Sequence, residues 1–214
     1  MLVGRRMTRN PKTVGPDDPL TLAADLMRNF RINHLPVVEE GKLVGILSDT
    51  DLRNASLTSD RLSGLGELQV QDRRVREVMK TDVWSLTPED AVEDALLIIR
   101  RKRFGALPVL SGDRLVGIIT KLDLIDSFID VLDIDGVGLR IEVVLPRTLE
   151  RFEELVGEIR ELGVGLRSCL VRPETRGSDR MVVLLRLDTV NGPMVRAALR
   201  AKKFEILEPA PDTL

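Results

Sequence analysis

Residues 7–52 are repeated 72 positions downstream, and this feature restricts the chain more than any other. Met7 recurs as Met79, Pro16 as Pro88, Pro36 as Pro108, Gly45 as Gly117 and Asp51 as Asp123. Across 7–52 against 79–124 there are 15 identities in 46 positions without a gap, where average composition would give about 3. The first part of the chain is therefore a duplication of one supersecondary unit.

Each copy follows the same order. An extended stretch (Lys12, Thr13, Val14; then Trp84, Ser85, Leu86) leads through Pro-Asp-Asp or Pro-Glu-Asp into an apolar pattern of helical period, clearest at Ala91, Ala95, Leu96, Ile98 and Ile99. That spacing predicts an amphipathic helix. Leu-Pro-Val follows at 35–37 and 107–109, and the residue before a proline is pushed toward extended geometry, so a strand begins there. A turn at Glu40-Gly41 or Gly112-Asp113 reverses the chain into Leu-Val-Gly-Ile at 43–46 and 115–118, which predicts a hairpin. A second helix is expected after each Asp-Leu.

The polar chemistry lies where the hairpins end. Ser48 is followed three residues later by Asp51, and Thr120 by Asp123, with Thr50 and Lys121 between. One reading is a helix cap, a relative of the capping box. The other is a carboxylate that accepts both hydroxyls of a ribose, as an acid does in dinucleotide folds, with phosphate near the helix start. The motif alone supports both.

The whole unit, with its Leu-Pro-Val, Leu-Val-Gly-Ile and Gly-x-x-Ser/Thr-x-x-Asp segments, resembles a cystathionine-β-synthase-type (CBS) repeat, over roughly residues 3–131. The resemblance implies an α+β fold with tandem β-α-β-β-α repeats in a pseudo-symmetric pair, binding AMP, ADP or ATP in clefts between them. By that resemblance one site joins Thr120, Lys121 and Asp123 to Thr13, Val14, Asn33, His34 and Leu35. The other joins Ser48, Thr50 and Asp51 to Trp84, Gly105, Ala106 and Leu107. The first, with His34 and Lys121, is expected to take a phosphorylated ligand, and the second to bind weakly or to hold plain adenosine. Arg28, Arg31, Arg100, Arg101 and Arg103 are read as a solvated face. No Gly-rich phosphate loop of the G-x-x-x-x-G-K-S/T type occurs, so hydrolysis by that route has no support.

Composition narrows the function classes. The 32 Lys and Arg nearly balance 34 Asp and Glu, unlike the basic excess of nucleic-acid binders. The single cysteine, Cys169, cannot form an internal disulfide or a zinc cluster, which suits a reducing cytoplasm. Residues 1–13 lack the apolar core of a signal peptide, and no apolar run approaches a membrane span. With one His and no Tyr, catalytic acid–base residues are scarce, and a non-enzyme is expected, with no metal and no required cofactor.

The chain divides, by this reading, into repeat 1 (3–58), a linker (59–74) with a loop around Ser63, Gly64 and Gly66, repeat 2 (75–132), a hinge at 133–138 and a last domain (139–208). There the pattern is strand 139–145, helix 149–162, strands 164–172 and 181–187, helix 191–202 and strand 204–207, a ferredoxin-like βαββαβ order. With Gly163-Val164 after its first helix, it resembles an ACT domain, a module that often binds amino acids at a dimer interface. The family's glycine-bearing ligand loop is replaced here by Pro146-Arg147-Thr148-Leu149, which shifts the expectation toward pairing with a second chain. The combination is similar to the acetoin-utilisation accessory family. It implies a homodimeric sensor of an adenosine-containing molecule acting on an unidentified client protein, with no nucleic acid and no membrane as partner. The alternative is an amino-acid-sensing or oligomerisation module in which the repeats are scaffold.

Overall fold

The computed structural model describes residues 1–55 and 73–207, and the chain forms two compact units, Met1–Asp126 and Ser127–Leu214. The expected linker up to position 72, including its Ser63–Gly66 loop, lies outside the described residues. The first copy comprises β1 (Thr8–Arg9), α1 (Leu20–Phe30), β2 (His34–Glu39) and β3 (Lys42–Ser48), with residues 49–55 helical. The second comprises α2 (Val92–Lys102), β4 (Ala106–Ser111), β5 (Arg114–Thr120) and α3 (Lys121–Leu132).

The duplication is carried into local geometry. Helix α1 buries Leu20, Ala23 and Met27, and α2 buries Val92, Ala95 and Ile99, the stripe the periodicity predicts. Both end at an arginine in the left-handed region, Arg31 (φ 53) and Arg103 (φ 58), which stops the helix. The hairpins share one register, Pro36 opposite Ile46 and Pro108 opposite Ile118, and one irregularity, at Val37/Val38 and Val109/Leu110. The opening stretches at 12–14 and 84–86 are shorter than the predicted strands. Each makes a single parallel bridge, Val14 to Val37 and Leu86 to Val109. Pro16 and Pro88 lie two residues further on and have no amide to continue the ladder.

Each copy opens by completing the other. Thr8 and Arg9 pair with Ile118 and Gly117 of the second hairpin, and Lys80 exchanges two main-chain hydrogen bonds of 2.9 Å with Ile46 of the first. The Val3 amide donates to Asp90 O and the Gly4 amide to Pro88 O. Reciprocally, the Val75 amide donates to Asp18 O and the Arg76 amide to Pro16 O, all at 2.9 Å. Val75, fully buried, sits in the apolar cluster of the first copy with Val14, Leu20 and Leu35. Met7 Sδ lies where a Cβ on Gly117 would sit, and Met79 Sδ where one on Gly45 would sit. The paired recurrence of Met and Gly in the sequence thus records one steric contact made twice.

In the second unit the order is β6 (Leu139–Pro146), α4 (Leu149–Glu161), β7 (Gly165–Pro173), β8 (Arg180–Asp188), α5 (Gly192–Ala201) and β9 (Glu205–Ile206). The strands form an antiparallel sheet in the order β7-β8-β6-β9. Alternate residues Ile141, Val143 and Leu145 of β6 and Val183, Leu185 and Leu187 of β8 pack with Leu155 and Ile159 of α4 and Val195 and Leu199 of α5. The stretch read as a hinge is fastened to this sheet. Asp133 pairs with Arg167, Ser168 Oγ donates to Leu132 O (2.9 Å), and Arg186 Nη1 donates to Gly136 O (3.2 Å).

A methyl group at position 117 meets both Met7 Sδ and, at 3.1 Å, Thr8 O. Gly117→Ala is expected to destabilise the first unit by about 1–3 kcal/mol, the usual cost of overpacking. Met7→Ala alone should also destabilise, and the double variant should lose less than the sum of the two, a coupling that thermal unfolding of the single and double variants measures.

Candidate functional site

The ends of the two hairpins converge on one cavity of about 1110 Å³ in the first unit, slightly above the usual size range of ligand pockets. Twelve of the fifteen predicted residues border it: Asn33, His34, Ser48, Thr50, Asp51 and Trp84, with Gly105, Ala106, Leu107, Thr120, Lys121 and Asp123. Both acidic motifs therefore border this cavity. Thr13, Val14 and Leu35 do not line it. Val14 and Leu35 are buried in the core of the first copy, and Val14 spends its amide on Pro36 O and its carbonyl on the Val38 amide.

The two carboxylates are held alike. Asp51 Oδ2 accepts from the Ser48 amide (3.0 Å) and hydroxyl, while Ser48 Oγ accepts from the Asp51 amide (3.2 Å). Asp123 Oδ2 accepts from the Thr120 amide (2.7 Å) and hydroxyl (2.8 Å), and Thr120 Oγ1 accepts from the Asp123 amide (3.3 Å). The cap reading of these motifs is thus realised in the geometry, and it fixes both carboxylates on the cavity wall. The second Asp51 oxygen, Oδ1, lies 3.0 Å from Lys80 Nζ. Partial burial pushes the Asp51 carboxyl up, but the Ser48 hydroxyl and amide and the Lys80 ammonium outweigh it and hold it below its ordinary value.

His34 is opposite Ser48 across the hairpin, and its imidazole lies over Gly105 of the other copy, where a Cβ would overlap its Nε2. Gly105 is therefore the room His34 needs. Sequence reading placed His34 with Asp123, yet its charged surroundings are Asp49 and Asp51 from its own copy together with Lys121 and Lys80. Burial pushes the imidazole below its ordinary value. The two carboxylates oppose that, and the two ammonium groups reinforce it.

Several contacts at the wall escaped the sequence reading. Lys12 Nζ sits 4.5 Å from the Phe30 ring centre, and Lys102 Nζ sits 4.4 Å from that of Trp84. Positions 12 and 84 are repeat equivalents, as are 30 and 102, so one cation–π contact is built twice with its partners exchanged. Phe30 and Trp84 are 49% and 42% exposed and border the cavity. Arg31 and Arg103, read as part of a solvated face, also border it, because the left-handed cap turns them off the helix. The 72-residue offset could have found all of these. Among the described residues, no group of three or more His, Cys, Asp or Glu could hold a metal ion.

The unfolded imidazole titrates near 6.5 and the folded one lower. As pH falls through 6.5, the unfolded chain takes up a proton that the fold resists, so stability should fall there. Asp51 contributes a separate loss only below its ordinary value of 3.8. Thermal unfolding between about pH 7 and about pH 5 should show the first loss, and His34→Gln should flatten it, His34 being the chain's one histidine.

The CBS domain family model matches residues 3–58 and 75–130. The CBS domain-containing protein YhcV of Bacillus subtilis is 32% identical over 118 residues, which are 55% of this chain and 79% of that protein. A solved Vibrio cholerae structure, described as an acetoin utilization protein (AcuB), is 33% identical with a TM-score of 0.54, covering 63% of this chain and 95% of that one. The CBS domain pair of protein MJ0100, solved in complex with 5′-methylthioadenosine and S-adenosyl-L-methionine, is 27% identical with a TM-score of 0.51, covering 60% and 99%. The duplicated unit is a tandem pair of CBS domains, and the chain belongs to the CBS-domain family.

Proposed function

We propose that this protein is a regulatory sensor of an adenine nucleotide of the AMP, ADP or ATP class, bound in the cavity between the two CBS domains. The observation that carries the reading is the pair of repeat-equivalent carboxylates, Asp51 and Asp123, each fixed by its own Ser48 or Thr120 on the wall of one cavity. A carboxylate so held offers acceptors to a ribose diol, and Lys80, Lys121, Arg31 and Arg103 on the same wall offer charge to phosphate. Trp84 and Phe30 offer ring faces at its edge. The adenosine-containing ligands of the MJ0100 domain pair support the class.

The protein acts without catalysing a reaction of its own, in the cytoplasm, as a homodimer that passes occupancy to a client protein. No described helix is long and apolar enough to cross a membrane. Binding can transmit only if the ligand favours one packing of the chain over another. The second unit is the ACT-like, ferredoxin-like partner in this scheme, and its task is pairing with a second chain. Supporting that over amino-acid sensing, the loop before α4 has its main chain committed. The Arg147 amide donates to Asp179 O (2.7 Å), the Thr148 amide to Pro146 O (2.8 Å), and Thr148 Oγ1 caps the helix at the Arg151 amide. Strand β7, at the edge of the sheet, exposes Leu166, Leu170 and Val171, a surface suited to a second copy.

Thermal unfolding against adenosine, AMP, ADP, ATP, S-adenosylmethionine and an amino-acid panel tests the reading. A ligand at about 100 times its Kd should stabilise by about 2.7 kcal/mol. Asp51→Ala and Asp123→Ala, each compared with its own unliganded midpoint because each also loses a cap, should reduce that gain. A shift with an amino acid and with no adenosine compound would overturn the proposal.

A further inference from the structure

The two halves of the cavity are alike in backbone and different in charge. Residues 8 and 80 are repeat equivalents, and each pairs through its main chain with the other copy's hairpin, Thr8 at Ile118 and Lys80 at Ile46. Only position 80 carries a cation. Its ammonium lies 3.0 Å from Asp51 Oδ1, with the Lys80 side chain 65% exposed and that of Asp51 13% exposed. The acid next to it, Asp49, is already paired with Arg53 at 2.7 Å.

We infer that Lys80 is a specificity residue that makes the Asp51 half of the cavity select phosphorylated adenosine ligands over the bare nucleoside. The inference rests on the reading of Asp51 as the ribose acceptor. A ribose that takes Asp51 Oδ1 displaces the ammonium, and an ion pair with so exposed a cation is weak enough to be displaced. With adenosine, the ammonium loses its partner and gains none. With AMP, it moves from carboxylate to phosphate, and a charge-assisted contact replaces the one lost. The Asp123 half has uncharged Thr8 at this position. This departs from the sequence expectation of weak binding or plain adenosine in the half containing Asp51.

Calorimetric titration of Asp123→Ala protein with adenosine and with AMP at low salt isolates the Asp51 half. AMP should bind about 10- to 100-fold more tightly than adenosine, the range for one hydrogen bond to a charged group. Lys80→Thr, which copies the other half, should weaken AMP and strengthen adenosine, lowering the ratio by about 10-fold or more. Lys80→Arg should restore the preference for AMP. A ratio unchanged by Lys80→Thr, or two affinities that move together, overturns the inference and leaves the nucleotide reading standing. So does an Asp123→Ala protein that binds neither ligand while the wild type binds one. A wild type that binds neither adenosine nor AMP overturns both.

Discussion

The structure of the first unit depends on an exchange between its two copies. Met7 packs on Gly117 and Met79 on Gly45, and the residues that follow, Thr8 and Lys80, add main-chain pairs to the opposite hairpins. Neither copy is complete without the other's opening segment, as Val75 in the core of the first copy makes plain. Apolar burial of this kind is the main stabilising force in a domain, and here it also sets position. The contacts that close each core bring Ser48-Asp51 and Thr120-Asp123 to one cavity.

Within that frame, near-symmetry of the backbone carries asymmetry of charge. The hairpins agree in register and in their bulges, and the helices end on equivalent left-handed arginines. The side chains then diverge. Asp49 stands where the other copy has Lys121, Lys80 where it has Thr8, and His34 where it has Ala106. His34 reaches across to Gly105 and lies among charges of both signs. A duplicated scaffold thus holds two carboxylates in the same way while allowing the charges beside each to differ.

Much of this was legible in the residues. The 72-residue offset exposed the duplication, and the positions of the helices and hairpins follow from prolines and apolar period. In the second unit the strand and helix limits agree with the pattern to within about two residues, because Ile141, Val143 and Leu145 alternate and Leu155 and Ile159 keep helical spacing. The exchange was not read, although Met7/Met79 and Gly45/Gly117 carried its signal, because an identity at fixed offset does not say which copy it touches. Leu35 and Val14 were placed at the site although both go into the core of the first copy, while Leu107, the repeat equivalent of Leu35, borders the cavity. Lys80 was missed because it has no counterpart charge at position 8, so the comparison of copies concealed what is particular to one of them.

A crystal structure of the protein grown with AMP tests the central claim most directly. The account predicts the nucleotide between the two CBS domains, with both ribose hydroxyls within about 3.2 Å of the carboxylate of Asp51 or of Asp123. A nucleotide seated elsewhere, or held in the cavity with its ribose turned from both acids, would contradict it.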